Sequence, residues 1–294
     1  MTMVRFIETR RVLLFGTFTA CLLAFNAGVI RSWAHLAWTD DTASHLLLVP
    51  VVTLALLWQR RRVIAAASAP DPSAAALVAV AGVVLAWSGR RYAAAMGPMG
   101  PMSTDALSVT VASVAVLWIA GFLLFYGRRA GRVALFPILF LLFVIPIPSA
   151  VVAGATEALK QGSARAVAVL FTVTGTPYHQ EGYVFSLPKF VIEIADECSG
   201  IRSTIALFFT TLLAGQMFLE GPWKKALLIA ISLPLAIVKN GVRIVSLSLL
   251  ASYVDPGFLK GSLHHDGGIV FFMITLGLLA PIVAILSKKE HSTP

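Results

Sequence analysis

"ALSVTVASVAVLWIAGFLLFYG", residues 106–127, decides the fold. It is an uncharged run closed by the basic "RRAGR" at 128–132. A helix needs about 20 apolar residues to cross the hydrocarbon core of a bilayer. The run meets that length, and the arginines behind it can anchor it at a headgroup layer. The pattern recurs along the chain. Runs at 12–30, 42–58 and 72–89 precede it, and runs at 133–156, 203–219, 226–254 and 267–287 follow it. The spacing predicts an all-α, polytopic membrane protein of about eight spans. The 133–156 run is expected to end near "IPIPS" (145–149), and "KNGVR" (239–243) interrupts the 226–254 run.

Composition agrees. The chain has 294 residues, 58% of them hydrophobic and 13% charged, with a mean hydropathy of +0.85. A soluble domain carries about 25% charged residues. The net charge of +9 could suggest a nucleic-acid binder, but the placement of the charge excludes it. Arg10 and Arg11, Arg60, Arg61 and Arg62, Arg128, Arg129 and Arg132, Lys224 and Lys225, and Lys288 and Lys289 all flank apolar runs. No basic stretch interleaves aromatics of the kind that stack bases. The expected surroundings are membrane lipid, with no nucleic acid. One domain is expected over 1–294, with N-terminal spans at 12–127 and a motif-bearing core at 135–287. The first run is too long for a signal-peptide h-region and ends at Arg31, so it reads as a span.

Lys and Arg also set the orientation. With the N-terminus inside, the loops at 60–62 and 127–132, Lys224, Lys225 and "KKE" (288–290) all fall on the cytoplasmic side. Arg90 and Arg91 are the exception, at a span end where they can snorkel. This arrangement requires that segment 150–171 not cross. Glu157, Lys160 and Gln161 lie on one side of a helix there, with Arg165 a turn further on, which predicts an amphipathic interfacial helix. Both termini are then cytoplasmic. The loop at 172–200, the end of the "KNGVR" helix and "LKGSLHHDGG" (259–268) converge on the outer face of the plasma membrane.

Those outer segments hold the candidate chemistry. In "DECSGIRS" (196–203), Cys198 precedes a helix predicted to open at Ser199 or Gly200. "YVFSLPKFVIEIADE" (183–197) alternates weakly and reads as a hairpin. A helix N-terminus favours a thiolate, and Arg202 adds positive charge one turn in. Asp196 and Glu197 push the other way. The alternative for Cys198 is an inert interfacial thiol. Cys21 lies mid-run and reads as a small hydrophobe, so a disulfide is not expected.

In "KNGVR", Lys239, Asn240 and Arg243 share one side of a helix, and Gly241 lets another backbone come close. A cation within a span is costly unless it is paired or reaches water, which makes Arg243 a functional candidate. For Lys239 a structural ion pair is an even alternative. In "LHHDGG" (263–268), His264 and His265 are candidate general bases. Asp40, Asp41 and Thr42 read as helix caps, while His45 beside them stays open. Cys198, His264, His265 and Asp266 are metal-ligand types, but none are spaced to chelate on one helix face. No metal and no cofactor is expected.

Three function classes fit parts of this pattern. A cysteine enzyme of the outer face uses Cys, His and Arg for acyl transfer. A transporter would place polar breaks near the midplane in related halves, and no repeat is visible. A lipid-carrier glycosyltransferase or acyltransferase could use Asp40, Asp41 and Arg90, but leaves Cys198 unexplained.

The chain resembles the exosortase/archaeosortase family of membrane-embedded sorting enzymes. The resemblance runs through "FLLFVIPIP" (140–148), "GTPYHQEGYVFSLP" (175–188), "VIEIADECSGIRS" (191–203), "NGVRIVSLSLL" (240–250) and "LHHDGGIVFF" (263–272), with "SHLLLVP" (44–50) upstream. It implies a cysteine peptidase or transpeptidase of the cell envelope. The substrates would be exported proteins ending in a short motif, a transmembrane helix and a basic tail. Cleavage would pass through a thioester to an acceptor. Carried over residue by residue, Cys198 is the nucleophile, Arg243 the catalytic arginine and His264 the third member. The "HH" doublet leaves His265 as its rival. Asn240 belongs to the matched Asn-x-x-Arg. "DEC" departs from the pattern, where a small residue is expected before Cys. Glu197 would either raise the thiol pKa or contact a substrate amide.

The predicted orientation has a direct check. A membrane-impermeant thiol reagent applied to intact cells should label Cys198 and leave Cys21 unlabelled. Labelling of Cys198 only after membrane disruption would reverse the orientation.

Overall fold

The computed structural model describes residues 2–95, 103–259 and 262–288. It divides into two compact units, Met1–Val151 and Val152–Pro294. The described residues form ten α-helices, four short 3-10 turns and one small three-stranded sheet. Among the described residues, five helices are long and apolar enough to cross a membrane, or up to seven if each of two bent pairs counts as one span.

In the first unit, α1 (Thr2–Phe25) and α2 (Ala27–Thr39) meet at 78°. The run at 12–30 is therefore not one straight span. The break falls at Asn26, whose side-chain amide donates to the carbonyl of Leu22 at 2.9 Å. α3 (Leu48–Ala66) ends in the Arg60–Arg62 triplet and is not among the five spanning helices. α4 (Pro72–Ala95) and α5 (Thr104–Val133) pack as a close pair. A Cβ at Gly82 would lie 2.8 Å from the Leu117 side chain, and one at Gly89 would lie 2.8 Å from Thr110 Oγ1. Small residues let helices in lipid approach this far. Asp71 caps α4 by accepting from Ala74 N and Ser73 Oγ and pairs with Arg128 at 2.6 Å. These contacts hold its carboxyl down at about 2.

α6 (Leu135–Leu141) and α7 (Ser149–Val173) form the second bent pair, at 92°. The break covers the "IPIP" stretch, as its prolines require. Its open backbone is satisfied by side chains. Trp33 Nε1 donates to the Val144 carbonyl at 2.9 Å, and Ser108 Oγ to that of Pro146 at 2.8 Å. Asp105 caps α7 through the N–H and hydroxyl of Ser149.

In the second unit, α9 (Pro222–Tyr253) runs unbroken through "KNGVR". That stretch changes polarity without interrupting the helix. α7 and α9 cross where both are small: a Cβ on Gly241 would lie 2.7 Å from Ala166 Cβ, and one on Gly162 would lie 2.9 Å from Ile237 Cδ1. α8 (Ile201–Phe218) and α10 (Ser262–Lys288) pack on α9 through Leu207, Leu228, Ala236 and Leu279. Lys224 Nζ caps the far end of α10 by donating to the Leu286 carbonyl at 3.0 Å.

Between α7 and α8 lies an antiparallel meander, β1 (His179–Glu181), β2 (Val184–Ser186) and β3 (Val191–Glu193). β2 is central. The hairpin expected over 183–197 is β2–β3, with Val184 opposite Glu193 and Ser186 opposite Val191. Phe185 points inward and is fully buried with Val167 and Phe171 of α7, Ile194 and Val245 of α9. Period-two alternation thus seats one face of the sheet on a helical core.

The α7–α9 crossing yields a stability test. Gly241→Val should cost about 1–3 kcal/mol through overpacking, measured by denaturation in detergent. Gly154→Val on α7, where an added Cβ meets nothing within 4 Å, should be near neutral by the same measure.

Candidate active site

Cys198 ends a 3-10 turn, Asp196–Cys198, that joins β3 to α8. Its N–H donates to the Ala195 carbonyl at 2.9 Å, which closes the turn. The thiol is half-buried against the Phe171–Phe185–Val245 core. Ser199 is fully buried, and its hydroxyl accepts from Ile201 N at 3.3 Å. Gly200 then caps α8 with φ +80°, a left-handed conformation in which a side chain is strained. A Cβ there would also lie 3.0 Å from Asn240. Its carbonyl accepts from Thr204 N and from the hydroxyls of Ser203 and Thr204. The chain reversal that presents Cys198 thus depends on glycine twice.

Asn240 lies behind the turn, 1% exposed. Its Nδ2 donates to the Cys198 carbonyl and to Ser163 Oγ of α7, both at 2.9 Å. One buried amide therefore joins α7, the cysteine turn and α9. One residue earlier, Lys239 is buried and donates to Ser203 Oγ on α8. One turn later, Arg243 lies close enough for its charge to act on Cys198 and on Lys239.

The turn is also held from α7. Lys160 Nζ pairs with Asp196 Oδ1 at 2.8 Å and lies 4.6 Å from the ring centroid of Tyr183. Glu157 accepts from the Tyr183 hydroxyl and, at 3.1 Å, from Gln161 Nε2. The carboxylate holds the Tyr183 phenol protonated to higher pH than usual. The polar stripe expected to face a membrane interface thus bonds to the sheet and to Asp196. Ser163, Tyr183 and Ser203 are site-supporting residues that the sequence reading did not single out, and Lys160 was read only as part of a polar stripe. Only the stripe on α7 signalled any of them.

The structure brings Cys198, Glu197, Asn240 and Arg243 together. Glu197 is exposed, and its charge also reaches Cys198. Arg202 is exposed on the first turn of α8. The side chains of His264, His265 and Asp266 lie outside the described residues; their backbone forms the opening of α10. α10 runs antiparallel to α9 from the Lys224–Leu286 contact. Counting back equally along both helices sets His264 level with Ser246, within about a turn. The opening of α10 is therefore at the Arg243 end of α9. His45 belongs to the first unit, half-buried, with Nδ1 3.0 Å from the Thr42 carbonyl. Asp40 beside it accepts from the N–H and hydroxyl of Thr42 in a local turn; Ala43 stands at the N-cap of the next helical turn, with no side-chain cap, so the capping expected of Asp40, Asp41 and Thr42 is not formed. Cys21 is exposed on α1, and both cysteines are free thiols. Among the described residues no group of His, Cys, Asp and Glu is arranged to hold a metal ion.

No curated protein and no solved structure matches the chain. A family model of transmembrane exosortases does, over residues 37–281. That match takes in α3 to α9, the meander, the cysteine turn and most of α10, so the chain belongs to the transmembrane exosortase family.

Proposed function

We propose that this exosortase-family protein is a membrane cysteine peptidase and transpeptidase acting on exported proteins with a C-terminal sorting signal. That signal is a short motif, a transmembrane helix and a basic tail. The observation that carries the reading is the bond from the buried Asn240 amide to the Cys198 carbonyl, with Arg243 one turn further along the same helix. A guanidinium held on a helix beside a nucleophile suits developing negative charge.

In this mechanism the Cys198 thiolate attacks the carbonyl carbon of the bond preceding the substrate helix. The carbonyl oxygen takes the negative charge and faces Arg243. The C–N bond then breaks, and His264, or His265 in its place, gives a proton to the leaving amine. A thioester to Cys198 remains, and an acceptor nucleophile releases the protein from it. No metal or cofactor is needed at any step. α3 would complete a set of eight spans, with both termini cytoplasmic and the site on the outer face of the plasma membrane.

The test uses a reporter ending in a tripartite tail taken from the source genome. Cys198→Ala should accumulate in the membrane and leave the tail uncut, a loss of at least about a thousandfold. Cys198→Ser should also fail, because a hydroxyl is far less acidic than a thiol. The wild type should form a hydroxylamine-sensitive adduct that both variants lack. Full processing by Cys198→Ala would overturn the mechanism.

Arg243→Lys keeps the charge but loses the planar fork. It should lower processing about a hundredfold or more while leaving the amount of protein unchanged. Near-normal processing would reduce Arg243 to a structural charge.

A further inference from the structure

β3 has a free side. The sheet order is β1-β2-β3, so β2 covers one side of β3 and no strand covers the other. The register shows which groups face out. Ile194 N donates to the Tyr183 carbonyl and Leu187 N to that of Phe190. By the alternation of an antiparallel ladder, Ile192 bonds inward to Phe185. Val191 and Glu193 then turn their N–H and C=O groups outward. The β1–β2 register agrees, since Val184 and Ser186 of β2 face Glu181 and His179. Among the described residues, the outward groups of Val191 and Glu193 meet no hydrogen-bond partner. Both side chains are exposed.

This edge runs straight into the nucleophile. Ala195 continues it in extended conformation, with φ −68° and ψ 170°, and its carbonyl accepts the N–H of Cys198. Open sheet edges do not face lipid, because each bare N–H and C=O costs several kcal/mol there. The edge therefore needs water or a peptide beside it. A peptidase substrate must reach its nucleophile as an extended chain, and an extended chain offers the groups that an open edge lacks.

We propose that the free edge of β3, Val191 to Ala195, binds the extended segment of the substrate that precedes its membrane helix. This rests on the peptidase reading above. The segment adds a fourth strand to the sheet. The outward groups of Val191 and Glu193 hold its backbone, and the strand delivers the scissile carbonyl to Cys198. Its main-chain bonds give affinity with little demand on sequence. The exposed side chains of Val191 and Glu193 are placed to set which substrate side chains fit.

Proline separates this binding role from a structural one. Glu193→Pro removes an N–H that faces away from β2, which an edge strand tolerates. It should raise KM for the tailed reporter about three- to tenfold, the effect of one net hydrogen bond. The value of kcat and the rate at which iodoacetamide alkylates Cys198 should stay unchanged. Ile192→Pro, which breaks the ladder to β2, should lower the alkylation and processing rates together.

A second measurement stands even if Glu193→Pro misfolds. In full-length Cys198→Ala protein saturated with the tail peptide, the amides of Val191 and Glu193 should gain protection from deuterium exchange. The amide of Ile192 should be slow with or without the peptide. Wild-type KM in Glu193→Pro, or no added protection at Val191 and Glu193, would overturn the proposal. Neither result would touch the nucleophile assignment, which the Cys198→Ala reporter assay decides alone.

Discussion

The buried amide of Asn240 is the constraint on which the site depends. Its Nδ2 donates to the Cys198 carbonyl and to Ser163, and Gly200 packs against its head. A buried polar group left unbonded costs about 1–3 kcal/mol. In this position the cost of losing those bonds would fall on the cysteine turn, on α7 and on α9 together. The bonds also explain the small residues nearby. α7 and α9 must come close for the amide to reach Ser163, and Gly162 and Gly241 remove the side chains that would keep them apart. Gly200 must be left-handed and must lack a Cβ for the turn to lie over Asn240. Sequence, crossing and site geometry are one problem here, with one set of solutions.

The electrostatics are arranged around the same point. Lys239 and Arg243 are like charges one turn apart on α9, and both are costly inside an apolar bundle. Lys239 turns to Ser203 on α8, and Arg243 acts on Cys198. On the other side Lys160 holds Asp196, so the acid next to the cysteine turn has a cation of its own. The site thus combines two cations on α9, Lys239 buried and Arg243 half-buried, with a Lys160–Asp196 latch from α7 to the cysteine turn.

Much of this was legible in the sequence, and the rest failed for identifiable reasons. Uncharged runs located the helices because burial in lipid demands length and apolarity. They could not report direction: the bend at Asn26 is a change of course inside a run that looked straight, and at "IPIP", where the run was expected to end, nothing in the sequence showed a 92° turn. "KNGVR" breaks the apolar run but was readable as one side of a helix, and each residue keeps helical geometry; the partner of Lys239, Ser203 on α8, did not show in any spacing. Glu157, Lys160 and Gln161 were seen as a stripe, but their partners Tyr183 and Asp196 are distant in sequence, so those bonds did not show. The hairpin before the cysteine and the close approach at Gly241 were readable, because each rests on local backbone chemistry. Asn240 stood in a motif; its double hydrogen bond did not show in any spacing.

The open edge of β3 also bears on how such a protein avoids its own copies. An unpaired strand is a template for another strand, and proteins guard against this with short edges and charged residues. β3 has three residues and carries Glu193, with Lys189 just before it. An edge this short grips a freely diffusing strand poorly. A peptide anchored in the same bilayer is another matter, because two-dimensional confinement raises its effective concentration far above that in bulk water. A weak edge is then enough for a membrane-tethered chain and too weak for a stray one, so selectivity comes from where the peptide is tied rather than from how tightly it is held.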